Sequence, residues 1–181
     1  MINQPAKHYS KIEESKVQCL LCPHNCIIKP EAVGACRARK NINSELYTLN
    51  YGKITSMSLD PIEKKPLKRF HTGSKILSVG TFGCNFKCSF CQNWTIAHSD
   101  ADTEDISPEE LVDSAVSLKN RGNIGIAFTY NEPSIWYEFV YDTCVLAKEE
   151  NLMNVLVTNG FISHQPLLDI IPYIDAMNID V

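Results

Sequence analysis

Cys84, Cys88 and Cys91 stand in the spacing C-x3-C-x2-C, inside Gly83-Cys84-Asn85-Phe86-Lys87-Cys88-Ser89-Phe90-Cys91-Gln92-Asn93. Three thiolates on one short loop leave a metal centre one ligand short. A four-iron cube has four corners, and structural sites fill all of them with protein cysteines. An open position is what a catalytic metal site needs to take up a small molecule. The next cysteine is Cys144, so the loop offers no fourth thiolate. The rival reading, a zinc site, needs another ligand, and His98 is the nearest candidate.

A second set is Cys19, Cys22, Cys26 and Cys36, in the spacing C-x2-C-x3-C-x9-C. Four thiolates suffice for a closed tetrahedral zinc site or for an auxiliary 4Fe-4S cluster. The spacing leaves both open, and His24 could replace one ligand. This site is expected to lie apart from Cys84. The basic run Arg37-x-Arg39-Lys40 reads either as a solvated face or as an offset to thiolate charge. Cys144, on an apolar helix face, reads as a core thiol.

These residues need a scaffold, and the pattern supplies one. Lys75–Phe82 reads as a buried strand running into the cysteine loop. Ser107-Pro108-Glu109-Glu110 is a helix start with a capping box, and Gly122 is its stop. Strand 124–129 follows. A helix from Ser134 carries Trp136, Phe139, Val140, Thr143 and Ala147 on its inward face. Strand 154–157, a short helix from Ser163 and strand 176–181 complete the run. The order β-α-β-α-β-α-β implies a parallel sheet with right-handed crossovers. In such folds the chemistry sits at the C-terminal strand ends. Upstream, residues 1–18 read as a flexible N-terminus. Residues 19–74 read as a Cys-rich segment with a linker and a β-hairpin around Tyr51-Gly52-Lys53.

The loop and strand ends together resemble the radical SAM superfamily. Thr129-Tyr130-Asn131-Glu132-Pro133 ends the second strand of the repeat, Thr158-Asn159-Gly160 the third and Asn178-Ile179-Asp180 the fourth. The latter two are similar to pyruvate formate-lyase-activating enzymes. A narrower resemblance is to AmmeMemoRadiSam-system radical SAM proteins. It is carried by Cys19-x2-Cys22-Pro23-His24-x-Cys26, by Gly34-x-Cys36-x-Ala38-Arg39 and by Asp60-Pro61-Ile62-Glu63-Lys64-Lys65-Pro66-Leu67.

The resemblance implies an α/β fold: a partial radical SAM barrel over residues 75–181, with four parallel strands of six, truncated at its C-terminus. It implies a 4Fe-4S cluster on Cys84, Cys88 and Cys91, with S-adenosylmethionine on the open iron. It places Phe90 near the adenine and Glu132 at the SAM amino group. Asn131, Thr158, Asn159 and Asp180 are further cofactor contacts. It implies a radical SAM oxidoreductase that cleaves SAM reductively to a 5′-deoxyadenosyl radical. It also implies flavodoxin or ferredoxin as low-potential electron donor, and a protein or small-molecule substrate that it does not identify. The alternative is a catalytically incompetent fragment or metal-binding module.

The 181 residues carry 17 Lys and Arg against 21 Asp and Glu, a net charge of −4. That balance argues against a nucleic-acid partner, despite the runs near Arg37 and Lys64. No stretch reaches the roughly 18 apolar residues of a membrane span, and no signal peptide is legible. A cytoplasmic location follows as the expectation, where eight cysteines argue for metal rather than disulfides.

Overall fold

The computed structural model describes residues 4–180. The N-terminal part is built from short antiparallel strands. These are β1 (Gln4–Pro5), β2 (Tyr9–Lys11), β3 (Val17–Cys19), β4 (Ile27–Ile28), β5 (Arg39–Ile42) and β6 (Glu45–Thr48). They form two three-stranded sheets, β2-β3-β4 and β1-β6-β5. Residues 4–11, read as flexible from sequence, are therefore paired. Burial of Ala6 explains it, together with the Lys7 amide, which donates to Glu138 Oε1 at 2.7 Å.

The hairpin is also displaced from its expected position. It joins β5 to β6 through Asn43 and Ser44, both at positive φ (51° and 65°). Two such residues give the twist that a two-residue hairpin turn needs. The Tyr51-Gly52 turn instead sends the chain into β7 (Lys53–Ile54), then β8 (Ser56–Pro61).

The β/α repeat follows. Strand β9 (Lys75–Gly80) leads through the cysteine loop to α1 (Trp94–His98) and to β10 (Glu104–Asp105), which pairs with β7. Helix α2 (Pro108–Ser117) starts on the expected capping box: Ser107 Oγ accepts from the Glu110 amide, and Glu110 Oε2 accepts from the Ser107 amide. Gly122, at φ 88°, turns the chain out of the helical segment. Next come β11 (Asn123–Phe128), a 3-10 turn at Pro133–Trp136, and α3 (Tyr137–Glu149). Strand β12 (Met153–Thr158), α4 (His164–Ile170) and β13 (Ala176–Ile179) complete the series.

The sheet order is β13-β12-β11-β9-β8. The four expected strands run parallel, and β8 adds an antiparallel edge that the sequence reading lacks. The sheet does not close into a barrel among the described residues. Successive side chains alternate between its two faces. Leu77, Val79, Ile126, Phe128 and Leu156 belong to the larger core, packed with Leu111, Trp136, Phe139 and Cys144. Ile76, Ala127 and Val155 form a smaller cluster with Ile62. Because β9, β11, β12 and β13 are parallel, their C-terminal ends share one edge. No helix among the described residues is long and apolar enough to cross a membrane.

Candidate functional site

The cysteine loop leaves the sheet at a tight place. A Cβ on Gly80 would lie 2.5 Å from the Thr129 carbonyl oxygen. One on Gly83, at φ 89°, would lie 2.6 Å from the carbonyl oxygen of Cys36. Only glycine meets both demands at residue 83. Cys84, Cys88 and Cys91 are free, partly buried thiols. The Phe86 amide points at Cys84 Sγ, 3.4 Å away, and the Cys91 amide donates to the Cys88 carbonyl at 3.2 Å. Burial pushes the Cys84 thiol up to about 11. A bound metal would displace that proton, since the thiolate is the ligand.

A hydrogen-bond web ties this loop to the neighbouring strand ends. Asn131 Nδ2 donates to the Gly83 carbonyl at 3.0 Å, and Asn131 Oδ1 accepts from the Thr81 amide at 3.1 Å. Asn85 Nδ2 donates to the Phe161 carbonyl at 3.0 Å, while its Oδ1 accepts from Asn159 Nδ2 at 2.8 Å. Glu132, only 2% exposed, is the hub. Its Oε1 accepts from Thr158 Oγ1 at 2.7 Å and from the Ser134 amide at 2.9 Å. Its Oε2 accepts from the Asn159 amide at 2.8 Å. One carboxylate thus fixes the end of β11, the end of β12 and the turn before α3.

Of the expected cofactor contacts, Asn131, Glu132, Thr158 and Asn159 converge around Cys84. Phe90 does not join them: it is 83% exposed on the loop. Asp180 is exposed at the end of β13, accepting from Asn178 Nδ2 at 2.8 Å. Trp94 is half exposed, its ring 4.5 Å from that of His98 and tilted by 39°. Cys144 is buried in the core, as its helix face implies.

Cys19, Cys22, Cys26 and Cys36 line one small cavity. Cys84, Cys88 and Cys91 are not among its lining residues, but the cavity's walls touch their loop. His24 Nε2 donates to the Asn85 carbonyl at 2.8 Å, and Cys36 packs its carbonyl on Gly83. Among the described residues, no three His, Cys, Asp or Glu side chains are arranged to hold a single metal ion. A four-iron cube asks for something different, since it spreads its cysteines over separate irons.

Two groups escaped the sequence reading. Asn85 received no task there, although it links the loop to β12 and to His24. Asp60, Lys65 and Tyr130 form a second cluster beside β8. Lys65 Nζ lies 3.0 Å from Asp60 Oδ2, and the Tyr130 hydroxyl donates to the same oxygen at 3.1 Å. Tyr130 sits at φ 72°, and burial pushes its hydroxyl up to about 12. The available signal was the Asp60–Leu67 string, in which Asp60 and Lys65 stand five residues apart.

The sequence profile described as the radical SAM superfamily matches residues 78–181. The chain belongs to that superfamily. It is 46% identical over 179 residues to an uncharacterized protein of Methanocaldococcus jannaschii, covering 97% of this chain and 52% of that one. It is 26% identical over 105 residues to the pyruvate formate-lyase-activating enzyme of Clostridium pasteurianum, covering 55% of this chain and 42% of the enzyme. The chain therefore spans about half the length of the curated relatives it matches.

Proposed function

We propose that this chain is the cofactor-binding core of a radical SAM enzyme, with Cys84, Cys88 and Cys91 each ligating one iron of a 4Fe-4S cluster. The carrying observation is the joint between the cysteine loop and two parallel strand ends, made by Asn85, Asn131, Glu132 and Asn159. When bound, the cluster supplies one electron for reductive cleavage of SAM to methionine and a 5′-deoxyadenosyl radical.

The protein's own residues do the positioning. The Phe86 amide favours the thiolate form of Cys84 through a charge-assisted bond. Asn131 clamps the loop on both sides of Phe82. Glu132 holds the β12 end beside the loop, and it is the residue that would meet the SAM ammonium. Thr158, Asn159 and Asp180 line the same edge as cofactor contacts. Exposed Phe90 stays free to cover the adenine.

The electron source in this reading is a low-potential flavodoxin or ferredoxin. The Asp60–Leu67 string supports assignment to the AmmeMemoRadiSam-system branch. Similarity to the Clostridium pasteurianum enzyme supports an activating role on a protein substrate over a small molecule. The test is anaerobic reconstitution of the wild type beside the C84A/C88A/C91A variant. Thiolate-to-iron charge-transfer absorption that depends on these three residues is expected. Identical absorption and iron content in both proteins contradicts the assignment.

A further inference from the structure

The four N-terminal cysteines reach one point from four places. Cys19 ends β3, Cys22 follows in the next turn, Cys26 precedes β4, and Cys36 lies in the turn before β5. None is in a disulfide. Together they line a cavity of about 20 Å³.

That void bears on the choice of metal. Zinc on four thiolates would draw every sulfur to about 2.3 Å from one point. The thiols here surround a space instead, and no three of them are set for a single ion. Ligands held apart around a void suit a polynuclear core.

Arg39 supplies an independent observation. It lines the cavity and is 1% exposed. Its Nη2 meets both Glu138 oxygens, at 2.9 and 2.8 Å, and its Nη1 donates to the Lys7 carbonyl at 3.2 Å. Its Nε has no partner among the described residues. A buried donor left unmade is costly. Glu138 already balances the guanidinium, so the orphan N–H calls for an acceptor, and the cavity that Arg39 lines can supply one. Cluster-bound sulfur is such an acceptor.

We propose that Cys19, Cys22, Cys26 and Cys36 ligate a second 4Fe-4S cluster, closed by four protein thiolates, with Arg39 Nε donating to a cluster or ligand sulfur. The Cys36–Gly83 and His24–Asn85 contacts place it directly behind the loop of the first. A filled second site braces that loop. The inference stands on its own geometry and survives failure of the reading above.

The test counts iron, acid-labile sulfide and zinc per chain after anaerobic reconstitution of the wild type and of C84A/C88A/C91A. Where the triple variant is insoluble, C88A takes its place. About eight irons in the wild type and about four, with matching sulfide, in the triple variant are expected. In C88A, more than four irons with matching sulfide supports the second cluster as well. Four irons in both the wild type and the triple variant would still support the second site and would sink only the first. Iron that vanishes with the loop cysteines, or one zinc without sulfide in the triple variant, overturns the proposal. So does a C88A protein holding zinc beside four irons or fewer.

Discussion

Asn159 Nδ2 donates to Asn85 Oδ1 at 2.8 Å, so the residue after β12 is bonded to the residue after the first loop cysteine. The two positions are 74 apart in sequence. Asn85 is buried, and among the described residues its Oδ1 otherwise meets only Cys84 Sγ, at 4.0 Å. Asn159→Ala leaves Asn85 Oδ1 without its nitrogen donor. The expected cost is about 2 kcal/mol, seen as a fall of roughly 4–8 °C in the thermal midpoint. An unchanged midpoint would show that the joint carries no stability.

Glu132 is expected to matter before any cofactor arrives. Its oxygens accept from Thr158, Ser134 and Asn159. Glu132→Gln turns an amide NH2 toward at least one of these donors. A loss of about 2–4 kcal/mol in urea unfolding of the cofactor-free protein is predicted. A variant with full stability and only weakened SAM binding would give Glu132 a ligand role alone.

The Arg39–Glu138 pair links β5 to α3 and is almost wholly buried. Arg39→Met alone leaves a buried carboxylate and should cost about 3–5 kcal/mol. The Arg39→Met, Glu138→Leu double variant should recover much of that loss, since both charges go together. A double-mutant cycle measures the coupling. Additive losses would mean that the pair does not interact.

Asp60 predicts a pH dependence. Burial acts to raise its carboxyl, but the Lys65 and Lys64 ammonium groups outweigh it and hold it well below the usual carboxylate range. A depressed carboxyl stabilises the fold above its unfolded value of about 3.9, and this stabilisation is lost as pH falls through the lower folded value. Stability should therefore decline below about pH 4. Asp60→Asn should flatten that decline and lower stability at pH 7, because Lys65 is then buried without its partner. A wild-type acid limb no steeper than the variant's would contradict this.

Much of the scaffold was legible because it is written locally. Short continuous apolar runs marked β9, β11 and β12, and Ser107 with Glu110 marked the start of α2. The site's ends were legible for the same reason: Cys84, Glu132 and Asn159 each follow a strand. What escaped depends on partners distant in sequence. Residues 4–11 gain their order from β3, β6 and Glu138. Arg39 meets Glu138 across 99 positions. The hairpin was misplaced because Gly52 outweighed Asn43-Ser44 as a turn signal, although both of the latter accept left-handed φ. Exposure of Phe90 was invisible, since loop side chains are aimed by their surroundings.

SAM cleavage at the Cys84 loop is the proposed activity. The direct measurement is 5′-deoxyadenosine formation, by mass spectrometry, in anaerobically reconstituted protein with SAM and a low-potential reductant. The wild type should release 5′-deoxyadenosine and methionine in equal amounts, and C84A/C88A/C91A should release neither. Wild-type protein that carries its iron yet never cleaves SAM would contradict the account, as would a triple variant that cleaves it at the wild-type rate.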